Sequence, residues 1–298
     1  MPAVSVLGTG RMGEPIARRL LRDLGSLTVW NRTAPKTAAL RDAGARVAAT
    51  PAEAAAEITL TVLTDLTDVE ALLDGPDGLL AGWAASGVRR PVLVIHGTVS
   101  PVAVRRLHER LGREGIGLVD APLSGGVAGA ESGALSVMVG GSAADVERAM
   151  PVLRLVGETV VIAGGPGAGE VVKACNQVVV AATVTAISEA MLLADANDID
   201  RAALLRVLAG GLASSEIIAQ KGNRWIEHDF EGGGSAVNQL KDLRFVAELG
   251  AAARIDLPVA DTVRGLFARM VDDDLGQLDH TGVELAIARR SAEEKVGS

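Results

Sequence analysis

Short β-branched runs alternate with Ala-, Leu- and Arg-rich stretches through the first half of the chain. Ala3–Leu7, Leu27–Asn31, Ile58–Thr64 and Pro91–Ile95 are nearly continuous apolar runs bounded by Gly, Asp or Pro, the pattern of strands buried on both faces. Between and after them the spacing predicts helices over Met12–Asp23, Pro35–Ala43, Leu66–Leu73 and Val102–Arg113. Gly117–Asp120, Leu135–Val139 and Thr159–Ile162 add three strands, with a helix near Ala143–Leu153. Such alternation requires right-handed crossovers and gives an α/β, doubly wound, mainly parallel sheet.

The pattern changes at Ala163-Gly164-Gly165-Pro166-Gly167-Ala168-Gly169. Beyond this cluster the chain reads as helices: one from Glu170 to about Ala196, then Asp200–Ala209, Ser214–Ile226, Leu240–Leu249, Pro258–Val271 and Thr281–Arg290. Two domains follow, residues 1–164 and an all-α 165–298, the second opening on a long interdomain helix and ending in a short disordered tail. The apolar stretch Val178–Ala194 is broken by Thr183, Thr185, Ser188 and Glu189, and reads as a buried helix rather than a membrane span.

Composition narrows the function. Aromatics are 2% of 298 residues and the net charge is −8, which disfavours base stacking and phosphate tracking on nucleic acid. Cys175 is the single cysteine, so no disulfide framework or thiolate metal cage is expected, and a reducing, cytoplasmic location is. His96, His108, His228 and His280 lack metal-ligand spacing and read as surface or packing residues; no metal is expected. The Ser residues lack a G-x-S-x-G setting. Only five of the 29 basic residues are Lys: Lys36, Lys173, Lys221, Lys241 and Lys295. Lys221 and Lys295 read as plain surface residues.

Gly8-Thr9-Gly10-Arg11-Met12-Gly13 lies between the first strand and the first helix, the context a G-x-G-x-x-G needs to cradle a dinucleotide pyrophosphate on a helix N-terminus. About 20 residues on, an NAD site would place a carboxylate for the ribose 2′-hydroxyl. This chain has Trp30-Asn31-Arg32-Thr33, with Lys36 close by. Asn31, Arg32 and Thr33 suit a 2′-phosphate, so NADP(H) is preferred over NAD(H) unless Arg32 is merely a solvated loop cation.

Three further segments concentrate small residues and single polar groups. Ser124-Gly125-Gly126 offers a hydroxyl and open amides to a carboxylate, or is a turn between strands. Lys173 shares a helix face with Asn176 and Gln177, and Val171, Val172, Val178 and Val179 suggest a low-dielectric setting suited to proton transfer. The alternative is a Lys snorkelling from an interdomain helix. Lys241, in Asn238-Gln239-Leu240-Lys241-Asp242, either closes a site from the second domain or pairs with a neighbouring acid.

In order and spacing, GTGRMGEPIARRL (8–20), DAPLSGGVAGAESGAL (120–135), GPGAGEVVKACNQ (165–177) and LKDL (240–243) resemble the β-hydroxyacid dehydrogenase family. That resemblance implies a Rossmann domain followed by an all-helical domain, in homodimers or homotetramers built through the long helix. It implies that Lys173 is the general acid/base, that Ser124, Gly125 and Gly126 hold the substrate carboxylate, and that Asn176 orients the substrate with Gln177 and Lys241. Thr98, Leu63, Thr64 and Lys241 join the cofactor residues. The implied reaction is hydride exchange with a small semialdehyde, keto acid or β-hydroxyacid, with neither nucleic acid nor membrane as partner. Three departures stand out: Gly234 where many relatives carry an aromatic, expected to loosen the substrate pocket; Ile95-His96-Gly97 ahead of Thr98; and Gln177 where some relatives have Asn. Two other readings compete: an imine reductase, which shares the architecture but generally lacks the Lys and the Ser-Gly-Gly, and a non-catalytic dinucleotide-binding module.

Overall fold

The computed structural model describes residues 2–296, and side chains within the last helix up to Arg290. The expected C-terminal tail and the Lys295 side chain lie outside the described residues. The chain divides into two compact units, Met1–Lys173 and Ala174–Ser298.

In the first unit the order is β1 (Val4–Leu7), α1 (Gly13–Leu24), β2 (Thr28–Trp30), α2 (Ala38–Asp42), β3 (Arg46–Val47), β4 (Ile58–Thr61), α3 (Leu66–Glu70), α4 (Leu79–Ser86), β5 (Val92–Ile95) and α5 (Pro101–Arg113). It continues with β6 (Gly117–Asp120), β7 (Leu123–Ser124), α6 (Gly126–Ser132), β8 (Ser136–Gly141), α7 (Ala143–Val156) and β9 (Thr159–Gly164). The path through the sheet is β3-β2-β1-β4-β5-β6-β8-β7, with β9 beside β8. Pairings from β3 to β6 are parallel, whereas β8 runs antiparallel to β6 and β7. The order reverses between β1 and β4, so the crevice that receives ligands in such sheets opens at their C-terminal ends.

Successive strand residues point to opposite faces. Val6, Val94 and Val119 pack with Ile16, Leu20, Val152 and Leu153 on one side. Leu7, Leu93, Ile95 and Leu118 pack with Trp83 and Leu107 on the other. Two helices were not expected. α4 is apolar nearly all round, so it has no amphipathic period, and its Gly82 lies against the Ala52 backbone. α6 begins at two glycines that read as a loop.

The second unit takes up α8 (Ala168–Asp195), whose first turns belong to the sheet unit, and continues with α9 (Arg201–Gly210), α10 (Glu216–Glu227), α11 (Ala236–Ala253), α12 (Pro258–Asp272) and α13 (Val283–Val296). Contrary to the sequence expectation, α8 is long and apolar enough, by length and composition alone, to cross a membrane. One face of it packs in the core of the unit, where Ala181, Val184, Ile187 and Met191 meet Trp225, Leu243 and Phe267, while Val179 and Leu193 are exposed. The Arg201 guanidinium joins Asp195, Glu284 and the Trp225 carbonyl, tying the end of α8 to α10 and α13.

Candidate active site

The Gly-rich turn lies at the C-terminal end of β1. Gly8 takes φ +96°, and a Cβ there would sit 2.6 Å from the Val62 carbonyl and 2.8 Å from the Leu63 side chain. A Cβ on Gly13 would overlap the Gly8 carbonyl, while Gly10 faces open space. No side chain caps the start of α1. Two closed approaches and one open one are what a pyrophosphate cradle needs, so the turn fits a dinucleotide.

Asn31 holds the adjoining loop. Its Oδ1 accepts from Thr9 N (2.9 Å) and its Nδ2 donates to the Thr33 carbonyl (3.0 Å), while Thr9 Oγ1 donates to the Lys36 carbonyl (3.1 Å). Asn31 therefore shapes the loop with both ends of its amide, a use the sequence did not reveal. Arg32, Thr33 and Lys36 are exposed at the end of β2, and Arg11 is exposed beside the turn. The sequence placed no acid near Arg32, but Asp68 of α3 lies 3.3 Å from its guanidinium. Both partners are open to solvent, so the pair is weak.

Behind these groups the head of α8 is fastened to the strand ends. The buried Asp120 carboxylate, at the end of β6, accepts from Gly167 N (2.8 Å) and Glu170 N (3.0 Å). Burial pushes Asp120 above the usual carboxylate range, against the pull of these N–H groups. Glu170 is 1% exposed, and its Oε2 accepts from Val99 N (3.1 Å), the residue after Thr98. Lys173 is 7% exposed, and its Nζ donates to the Leu123 carbonyl (2.8 Å). Of the four valines expected to cover it, Val171 and Val178 are half-buried, and Val172 and Val179 are exposed. Lys173 is covered because it reaches into the segment after β6.

His96, at the end of β5, is buried, with Nδ1 on the Ala121 carbonyl (2.7 Å). Burial pulls its pKa down to about 4, so the ring is neutral at physiological pH and Nδ1 carries the proton. Ser124 ends β7, and Gly125 and Gly126 take φ +124° and +65° as the chain enters α6. Leu63 and Thr64 follow β4 beside Gly8, and a Cβ on Gly97 would overlap the Leu63 carbonyl. Sequence reasoning missed Asp120, Glu170 and His96 as site-forming groups. The available signals were an acid one helical turn before Lys173, and a His and an Asp closing apolar strands.

In the second unit Gln177 Nε2 donates to Asp242 Oδ2 (2.6 Å), and Asn176 Nδ2 donates to Gln177 Oε1 (3.2 Å). Lys241 Nζ lies 3.4 Å from Asp242 Oδ1 and 5.4 Å from the centre of the Phe245 ring. Lys221 is no plain surface residue: it pairs with the fully buried Asp279. Asp279 also accepts from Gly234 N (2.9 Å), and the Gly234 carbonyl accepts from His280 N (2.8 Å). The backbone of Gly234 is thus anchored on both sides.

Residues 3–165 match the family model of the NAD-binding domain of 6-phosphogluconate dehydrogenase. Residues 167–286 match that of the NAD-binding domain of NADP-dependent 3-hydroxyisobutyrate dehydrogenase. The chain is 32% identical to 2-hydroxy-3-oxopropionate reductase of Escherichia coli, over 94% of this chain and 95% of that protein. A crystal structure of 3-hydroxyisobutyrate dehydrogenase from Salmonella typhimurium superposes with a TM-score of 0.85 at 27% identity, covering 95% and 98% of the two chains. An imine reductase from Myxococcus stipitatus reaches a TM-score of 0.64 at 19% identity over 96% and 99%, a likeness of fold alone. The Gly-rich turn, the doubly wound sheet and these full-length matches lead to one conclusion: the chain belongs to the β-hydroxyacid dehydrogenase family and is an NAD(P)-dependent oxidoreductase.

Proposed function

We propose that the protein is an NADP(H)-preferring reductase of a small carboxylate-bearing aldehyde or keto acid, which also runs the reverse oxidation of the β-hydroxyacid, with Lys173 as general acid/base. The observation that carries this reading is the Lys173 ammonium, buried and aimed at the Leu123 carbonyl, one residue before Ser124-Gly125-Gly126. A buried Lys at the ligand edge of such a sheet has little structural use that a cheaper side chain would not serve.

The nicotinamide, when bound, exchanges a hydride with the substrate carbon. In the reducing direction Lys173 Nζ gives its proton to the carbonyl oxygen, the C=O π bond becomes C–H and O–H, and the neutral amine is reprotonated from solvent. Ser124, with the amides of Gly125 and Gly126, holds the substrate carboxylate without adding a charge. Asn176 and Gln177, one turn further along α8, orient the substrate; Gln177 is steadied by Asp242, which also lies beside Lys241. Gly8–Gly13, Leu63, Thr64 and Thr98 hold the dinucleotide, with Lys241 contributing. Exposed Val179, Leu193, Val207 and Leu212 support a homo-oligomer, dimer or tetramer.

The preference for NADP(H) rests on Arg32, Thr33 and Lys36, exposed at the end of β2 where an NAD site would carry an acid. Arg32→Ala raises the KM for NADPH about tenfold or more and leaves that for NADH nearly unchanged, because only the 2′-phosphate contact is lost. Steady-state kinetics with both cofactors check this. Equal kcat/KM for the two cofactors in the wild type, or an unchanged NADPH KM in the variant, overturns it.

A further inference from the structure

Glu170 is a buried acid to which the reaction just described gives no role. It is 1% exposed, in the first turn of α8, three residues before Lys173. Side chains three apart on a helix are neighbours, with Cβ atoms about 5–6 Å apart, so the carboxyl and the ammonium share a face of α8. Each group is also tied to a different strand end: Glu170 Oε2 accepts from Val99 N, and Lys173 Nζ donates to the Leu123 carbonyl. We infer that Glu170 is the buried counter-charge of Lys173, a positioning residue that holds the amine in its protonated, proton-donating form and sets it for carbonyl reduction at neutral pH. The inference rests on the reading of Lys173 as the acid/base.

Three features of its surroundings bear on the Glu170 carboxyl. It accepts a backbone N–H, it lies in the first turn of a long helix where the dipole favours negative charge, and an ammonium lies one turn on. Asp120 of β6, whose Oδ2 accepts from Glu170 N, is the other acid at this point, and burial pushes it toward its protonated form. His96, at the end of β5, is neutral, and Arg105 of α5 donates to the Pro166 carbonyl. An isolated buried Lys would lose its proton easily; one with a buried carboxylate beside it would not. Glu170 also fixes the backbone after Thr98, so one side chain sets both the charge of the amine and the position of the strand end opposite it.

Glu170→Gln separates these two tasks, since the amide oxygen still accepts from Val99 N while the charge is gone. With only five lysines in the chain, Lys173 can be followed by ε-13C-lysine NMR in the cofactor-free protein, its resonance assigned by its loss in Lys173→Arg. The titration midpoint of Lys173 is expected to fall by about 1–2 pH units in Glu170→Gln. The alkaline limb of kcat for reduction moves down with it. Coincident midpoints in the two proteins overturn the inference. Should Glu170→Gln fail to fold, the wild-type titration decides alone. A midpoint near or above the ordinary lysine value of about 10.4 supports the counter-charge, and one more than about two units below it contradicts it. Lys173→Ala with near wild-type kcat would instead remove the acid/base reading, and the NMR comparison would still report on the charge pair.

Discussion

Lys173→Ala lowers kcat for aldehyde reduction by about a hundred- to ten-thousand-fold while leaving the Kd for NADPH roughly unchanged. The split follows from where Lys173 stands. Its ammonium is held by the Leu123 carbonyl, on the strand-end segment after β6, whereas the dinucleotide cradle is built by the turn after β1 and the loop that Asn31 braces. The lost interaction therefore belongs to the transition state, where charge grows on the substrate oxygen, and not to cofactor binding. Arginine is no substitute, because a guanidinium does not release a proton near neutral pH. Rapid-mixing turnover, paired with fluorescence titration of NADPH, measures both quantities. A loss of affinity that matches the loss of rate would assign Lys173 to binding instead.

Acid stability should carry the signature of His96. Burial holds its folded-state pKa down near 4, against about 6.5 in an unfolded chain. Above pH 6.5 the ring is neutral in both states and its contribution is flat. Between about 6.5 and 4 the unfolded chain takes up a proton that the folded one refuses, so stability falls with pH. The slope approaches about 1.4 kcal/mol per pH unit, for a total of about 3 kcal/mol. Below about 4 the contribution is flat again. His96→Gln, whose side-chain amide can still donate to the Ala121 carbonyl, lacks the slope. Urea midpoints for both proteins at pH 4.5, 5.5 and 7.5 give the comparison. A difference between the two proteins that does not vary with pH would contradict the assignment of a buried neutral ring.

Much of this architecture was legible in the chain because it follows from local rules. VSVL, ITLT and VLVI are β-branched and buried on both faces, so they read as strands of a parallel sheet. Gly8, Gly10 and Gly13 read as a cradle because their spacing pairs two backbone approaches closer than a side chain allows, at Gly8 and Gly13, with open space at Gly10. Lys173 stood out through its scarcity and its motif. What escaped was set by contacts distant in sequence. Lys221 read as surface until Asp279, 58 residues on, proved to be buried beside it. Arg32 read as free of acids because Asp68 arrives from another helix, 36 residues away. Asn31 read as a ligand because nothing local shows that Thr9 N claims its oxygen. The Gly232–Gly234 run read only as a turn between helices, because the carboxylate that anchors Gly234 N, Asp279, lies 45 residues downstream.

The central claim is that a buried ammonium next to a carboxylate-holding Ser-Gly-Gly reduces small aldehyde acids. The measurement that meets it most directly is NADPH oxidation by the pure protein with glyoxylate, succinic semialdehyde, tartronate semialdehyde, methylmalonate semialdehyde and a cyclic imine, each with wild type and Lys173→Ala. At least one carboxylate-bearing aldehyde should be turned over rapidly by the wild type and barely by the variant, with the imine left untouched. Turnover of the imine alone, or of an aldehyde equally well by both proteins, would contradict the account.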